Sequence, residues 1–124
     1  ESQYTSDVLI TDWSGISMEY SFTTHNPCIF INTPMKVLNP DYIQYQSVPA
    51  LIEIRDKIGV SFEPDDVAGI ASAVEEMLNG KLLPSGQVAA IVDQYVYNVG
   101  NSRRVGARYI IESLGEKQKK RQKT

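Results

Sequence analysis

The stretch Asp7-Val8-Leu9-Ile10-Thr11-Asp12-Trp13-Ser14-Gly15-Ile16-Ser17-Met18-Glu19-Tyr20 decides the fold. An apolar run ends in a short polar turn, and the turn opens a helix. A strand that hands the chain to a helix in this way points backbone N–H groups and small hydroxyls outward from the carboxyl end of a sheet. That is where open α/β sheets hold phosphorylated ligands. The stretch begins close to Glu1, inside ordinary globular sequence, so the chain is expected to be a piece of a longer protein, carrying one half of a ligand site at its edge.

Residues 8–11 have the continuous apolar pattern of a strand buried on both faces. Ser14 is placed to cap a helix over 15–24, with Ile16, Tyr20 and Thr23 or Thr24 near one face. His25-Asn26-Pro27 stops that helix, because proline disfavours helical geometry in the residue before it. Cys28, Ile29, Phe30 and Ile31 form a second buried strand, after a crossover of about 16 residues that predicts a parallel, right-handed connection. Asn39-Pro40-Asp41 marks a turn within the irregular stretch 32–48. Pro49 opens a helix with Leu51, Ile54 and Ile58 at helical spacing, and Gly59 reads as its end. Residues 60–62 make a short third strand. Asp65-Asp66 caps an amphipathic helix bearing Val67, Ile70, Ala71, Val74 and Leu78, with Gly80 behind it. Pro84-Ser85 starts another helix, and Ser102 starts the last, whose apolar positions include Ala107, Ile110, Ile111 and Leu114. The expected fold class is α/β: half of a Rossmann-like parallel sheet, three strands, with a helical C-terminal ending.

With 124 residues, 42% hydrophobic and 22% charged, the chain has the composition of one soluble globular domain. Its net charge of −3 argues against nucleic acid as a partner. The charge is uneven, however. Residues 116–124 are strongly basic and leave the body near −7 by subtraction, which sets a body of 1–115 apart from a basic flexible tail of 116–124. The tail reads either as a solvated, frayed end or as a weak contact with an anionic membrane face. One cysteine excludes an internal disulfide and a cysteine-based metal site. No apolar run is long enough to cross a bilayer.

The candidate site is the turn from Asp12 to Ser17. Ser14, Gly15 and Ile16 would present N–H groups at a helix start, where the helix dipole favours anions. Gly15 permits close backbone approach, and Ser14 and Ser17 supply hydroxyls. The same residues also describe an ordinary capped helix after a strand. Glu19 is placed either to accept hydrogen bonds from a ribose diol or simply to complement the helix N-terminus. Asp12 is placed to orient a ligand or to cap the turn. His25 stands alone, so no metal centre is expected, and nothing in the sequence calls for a cofactor.

The stretch from Ser6 to Tyr20, followed by Asn26-Pro27-Cys28-Ile29-Phe30, resembles a hallmark of the CDP-glycerol glycerophosphotransferase family. Its pattern there is roughly (A/S)-D-x-L-I-T-D-(Y/W)-S-(S/G)-x-x-x-(D/E)-Y. Those enzymes are similar to the two-domain GT-B glycosyltransferases. Gly59-Val60-Ser61-Phe62-Glu63-Pro64-Asp65-Asp66 and residues 102–111 are similar to the end of a GT-B donor-binding domain. The resemblance implies that residues 1–115 are the C-terminal portion of that domain and bind a nucleotide-diphosphate donor. The enzyme would transfer a glycerol-phosphate or sugar group to an acceptor hydroxyl. Ser14 and Gly15 would meet the diphosphate, with Ile16 and Ser17 beside them. Asp12 would shape the loop, and Glu19 would approach the ribose. The setting it implies is the cytoplasmic face of a bacterial membrane, where such enzymes build envelope polymers. The loop 19–27 is about one residue longer than the family pattern. The family's catalytic histidines lie upstream of the matched segment, and His25 matches neither of them, so this chain carries no expected catalytic residue. On this reading the first strand lacks a neighbour, and a homodimer through its bare edge is expected. The rival expectation is a non-catalytic α/β interaction domain.

Overall fold

The computed structural model describes residues 2–35, 39–45 and 48–121, and among these the fold is α/β. Strands β1 (Leu9–Thr11), β2 (Cys28–Ile31) and β3 (Gly59–Phe62) form a parallel sheet in that order. Helix α1 (Ile16–Thr24) links β1 to β2, and α2 (Ala50–Ile58) runs directly into β3. Helices α3 (Val67–Leu78), α4 (Ser85–Tyr95) and α5 (Ser102–Arg121) follow. This is the half Rossmann-like arrangement with a helical ending. The register aligns Leu9 with Cys28 and Cys28 with Gly59, so all three strands begin at one level and β1 ends one residue before β2 and β3. The chain divides into two compact units, 1–93 and 94–124. Helical backbone in α5 continues through most of the segment expected as a tail, ending at Arg121.

The central strand carries the core. Cys28, Ile29 and Phe30 are buried, as a strand flanked on both sides and covered on both faces must be. Ile29 and Ile31 face α3, where Ala73, Met77 and Ile70 pack with Val60 and Phe62. Cys28 and Phe30 face the other side, against α1 and α2. β1 departs from its expected burial on both faces: Ile10 is 51% exposed, because among the described residues β1 has β2 on one side and no strand on the other.

Helix α1 buries Ser17, Tyr20 and Ser21, not the expected face of Ile16, Tyr20 and Thr23 or Thr24. Small hydroxyls let the helix approach β2 closely, and each is satisfied locally. Ser17 Oγ donates to the Ser14 carbonyl (3.0 Å), and Ser21 Oγ donates to the Asn26 carbonyl (2.8 Å). Tyr20 reaches back to donate to the Ser6 carbonyl at 2.8 Å, which Asn26 Nδ2 also reaches at 3.1 Å. The helix ends at His25, in the left-handed region (φ 60°), just before Pro27. Asp66 caps α3 as its side chain accepts from Gly69 N at 2.9 Å. Gly80 (φ 66°) follows the α3 C-cap Asn79, where Lys81 N donates to the Glu76 carbonyl and Gly80 N to that of Met77.

Gly59 ends α2 as expected, though not as a left-handed cap. Its backbone is extended and begins β3. A Cβ there would overlap the Cys28 carbonyl and sit 2.5 Å from the Phe30 ring, so glycine is required by close approach. Gly15 is the opposite case: its φ is −61° and a Cβ would meet nothing within 4 Å. In urea denaturation, Gly59→Ala is therefore expected to lose roughly 1–3 kcal/mol, while Gly15→Ala stays within about 0.5 kcal/mol of the parent.

Burial pushes the Cys28 thiol from its ordinary 9.0 up to about 11, with the Ser21 hydroxyl, 3.3 Å away, pulling it back in part. The fold thus favours the neutral thiol. That contribution is full below pH 9, and it is lost as pH rises through 11, to the extent of roughly 3 kcal/mol. Stability measured across this window is expected to fall less steeply in Cys28→Ala than in the parent chain.

Candidate functional site

The three strands end within one residue of each other, and the residues that follow them build the site. Asp12 follows β1, Asn32 follows β2 and Glu63 follows β3. Arg55, projecting from α2, joins them. Its Nη1 donates to the Asp12 carbonyl at 2.9 Å and its Nη2 to Asn32 Oδ1 at 3.1 Å. Asn32 passes the linkage on, donating from Nδ2 to Glu63 Oε1 at 2.9 Å and from its backbone N to the Phe62 carbonyl at 2.8 Å. The guanidinium lies between two rings, 4.0 Å from the Trp13 centroid and 4.2 Å from that of Phe30. Trp13 is itself fixed by donation from Nε1 to the Thr33 carbonyl at 2.6 Å.

Arg55 is only 4% exposed, and its Nε has no acceptor. Among the described residues no carboxylate lies within ion-pair distance of it. Burial draws its pKa below the ordinary guanidinium value, with Asp56 and Asp12 acting in the opposite sense. A guanidinium remains protonated under such a shift, so the sheet edge holds a buried positive charge.

The turn 12–16 continues from the Asp12 carbonyl that Arg55 holds. Helix α1 starts one residue later than expected, with Gly15 at its N-cap and no side-chain cap. Ser14 Oγ accepts from Ile16 N at a long 3.4 Å. Ser17 N donates to the Ser14 carbonyl, while Met18 N and Glu19 N donate to that of Gly15. Among the described residues the N–H groups of Ser14 and Gly15 have no intrachain acceptor. Asp12, Ser14, Gly15 and Ile16 thus come together in one turn, with Gly15 exposed at its tip. Ser17 does not join them, because it is fully buried and its hydroxyl is held by Ser14. Glu19 is exposed, two residues beyond buried Ser17 and so on the far side of the helix from it.

A separate cleft of about 450 Å³ opens at the opposite, amino end of the strands, between Asp7, Asn26 and Pro27 on one side and Met77, Leu83 and Ser85 on the other. Ligands of open α/β sheets gather at the carboxyl end, and the buried cation lies there too. Among the described residues no helix is long and apolar enough to cross a membrane, and no three His, Cys, Asp or Glu side chains group as a metal site. No protein-family model, curated protein or solved structure matches the sequence.

The candidate residues named from sequence omitted Arg55, Asn32 and Glu63. A usable signal was present. Arg55 lies four residues after Leu51 and three before Ile58, inside the apolar stripe of α2, and an arginine on a buried stripe calls for a partner. Asn32→Ala removes the acceptor of Nη2 and the donor to Glu63. It is expected to lower stability by about 1–2 kcal/mol. Trp13, the chain's one tryptophan, reports this transition by its emission during urea unfolding.

Proposed function

We propose that the chain is the C-terminal portion of the donor-binding domain of a glycosyltransferase-like enzyme. In this reading the enzyme moves a glycerol-phosphate or sugar group from a nucleoside diphosphate to an acceptor hydroxyl. The observation that carries the reading is the pair of N–H groups, Ser14 and Gly15, left without intrachain acceptors at the start of α1 on the carboxyl edge of a parallel sheet. A helix start at this place favours phosphate oxygens through both its N–H groups and its dipole. The Ser14 hydroxyl lies in the same turn. The turn's contribution to transfer is to hold the diphosphate and stabilise its charge as it departs. The resemblance of residues 6–20 to the CDP-glycerol glycerophosphotransferases supplies the donor class, with cytidine or uridine as the nucleobase carrier. It also supplies a setting at the inner face of a bacterial membrane, with the basic segment 116–124 toward anionic lipid. A second copy covering the bare edge of β1 belongs to the same proposal.

The second reading, a non-catalytic interaction domain, draws on α5, where Tyr109, Ile110, Ile111 and Leu114 are all exposed. An amide-resolved NMR titration with CDP, UDP and pyrophosphate separates the two. The donor-binding reading expects saturable shifts centred on the Ser14 and Gly15 amides. Shifts confined to the cleft at Asp7 and Ser85, or none at millimolar ligand, would overturn it in favour of the interaction domain.

A further inference from the structure

We propose that Arg55 is a positioning residue and the counter-charge for a phosphate group bound at the turn 12–16, acting through the Asp12 carbonyl and not by contact. The inference rests on the donor-binding reading and adds the source of the site's positive potential. Three observations carry it. The guanidinium is almost wholly buried, yet its hydrogen bonds among the described residues go to a backbone carbonyl and a side-chain amide, both neutral. Its Nε has no acceptor, and among the described residues no carboxylate lies within ion-pair distance. The carbonyl it holds belongs to Asp12, two residues before the Ser14 N–H and three before that of Gly15.

Buried charges in proteins are as a rule paired, because desolvation is otherwise uncompensated. Here the Trp13 and Phe30 faces stabilise the cation without neutralising it. The charge therefore stays available to the neighbouring turn. Asp12 and Asp56, the carboxylates that act on Arg55, are exposed, and solvent screens them more than it screens the buried cation. A phosphate at the Ser14 and Gly15 amides lies within roughly 10 Å of the guanidinium by chain geometry. At that range a partly buried unit charge changes affinity on the order of 10-fold. The same hydrogen bond from Nη1 fixes the backbone from which those amides project, so position and charge come from one side chain.

The test is pyrophosphate binding to the whole chain, followed by the Ser14 and Gly15 amide shifts, with folding checked on each variant. Arg55→Met fills the space between the rings without charge and is expected to weaken pyrophosphate binding about 10-fold or more. Arg55→Lys keeps the charge and is expected to restore most of the affinity even where stability falls, which a packing role would not produce. Asn32→Asp supplies the missing carboxylate beside Nη2 but loses the donation to Glu63, so it is paired with Glu63→Gln to restore that contact, and the folded double variant is expected to weaken pyrophosphate binding. A folded Arg55→Met chain that binds pyrophosphate as the parent does overturns the inference and leaves the donor-binding reading standing. If Arg55→Met does not fold, unchanged affinity in the folded Asn32→Asp, Glu63→Gln chain overturns it. A parent chain whose amides ignore pyrophosphate overturns both.

Discussion

One buried cation ties the carboxyl ends of three strands together. Arg55 holds the main chain leaving β1 through the Asp12 carbonyl, lies on the Phe30 ring of β2, and reaches the end of β3 through Asn32 and Glu63. In a sheet whose edge strand is three residues long, few ladder bonds fix where β1 stops. The Arg55 clamp supplies what the ladder cannot, a defined exit for the turn that follows. The order of the 12–16 backbone thus depends on a side chain more than forty positions away in sequence.

That clamp requires close packing beneath it. Phe30 offers its face to Arg55 while its edge lies against Gly59, where a Cβ has no space. Two residues earlier on the same side of β2, Cys28 meets the Ser17 and Ser21 face of α1. The crossover helix is thus set near the sheet by small residues rather than by an apolar stripe. Small hydroxyls would be poor core residues if unpaired; each here is bonded to a carbonyl close in sequence, so close approach leaves no buried donor idle. The position of the α1 start, and with it the exposed tip at Gly15, follows from that spacing.

These features explain which parts of the molecule were legible in its sequence. The strand segments, the parallel pairing of the first two and the α3 caps follow from local signals: an unbroken apolar run at Cys28–Ile31, an aspartate at Asp66, a glycine at Gly80. The buried face of α1 is not legible in the sequence, because periodicity of apolar residues cannot mark a face built largely of serines. The exposure of Ile10 is not legible either, because an edge strand and a central strand share one apolar signature, and only pairing separates them. The turn Asp12–Ile16 was legible as a turn, since its strand, glycine and following helix are contiguous. The cation behind it was not, since a contact between positions 12 and 55 leaves no trace at short range. What remained readable was its anomaly, an arginine within the stripe of Leu51, Ile54 and Ile58.

The electrostatic setting gives that anomaly its meaning. The chain body is acidic, so its overall field repels anions. If the turn holds phosphate as proposed, on such a body it needs a local positive source that solvent does not screen. Helix α1 alone is a modest one: it has nine residues, its first-turn acidic residue is Glu19, and the effect of a helix terminus dies away within a turn. A guanidinium placed out of water behind the turn has a longer reach, because screening is weak where solvent is excluded. Burial of Arg55 without a carboxylate is destabilising as packing alone, and two aromatic faces offset only part of that. An anion at the turn would supply the remainder, making ligand occupancy and order at the sheet edge parts of one equilibrium.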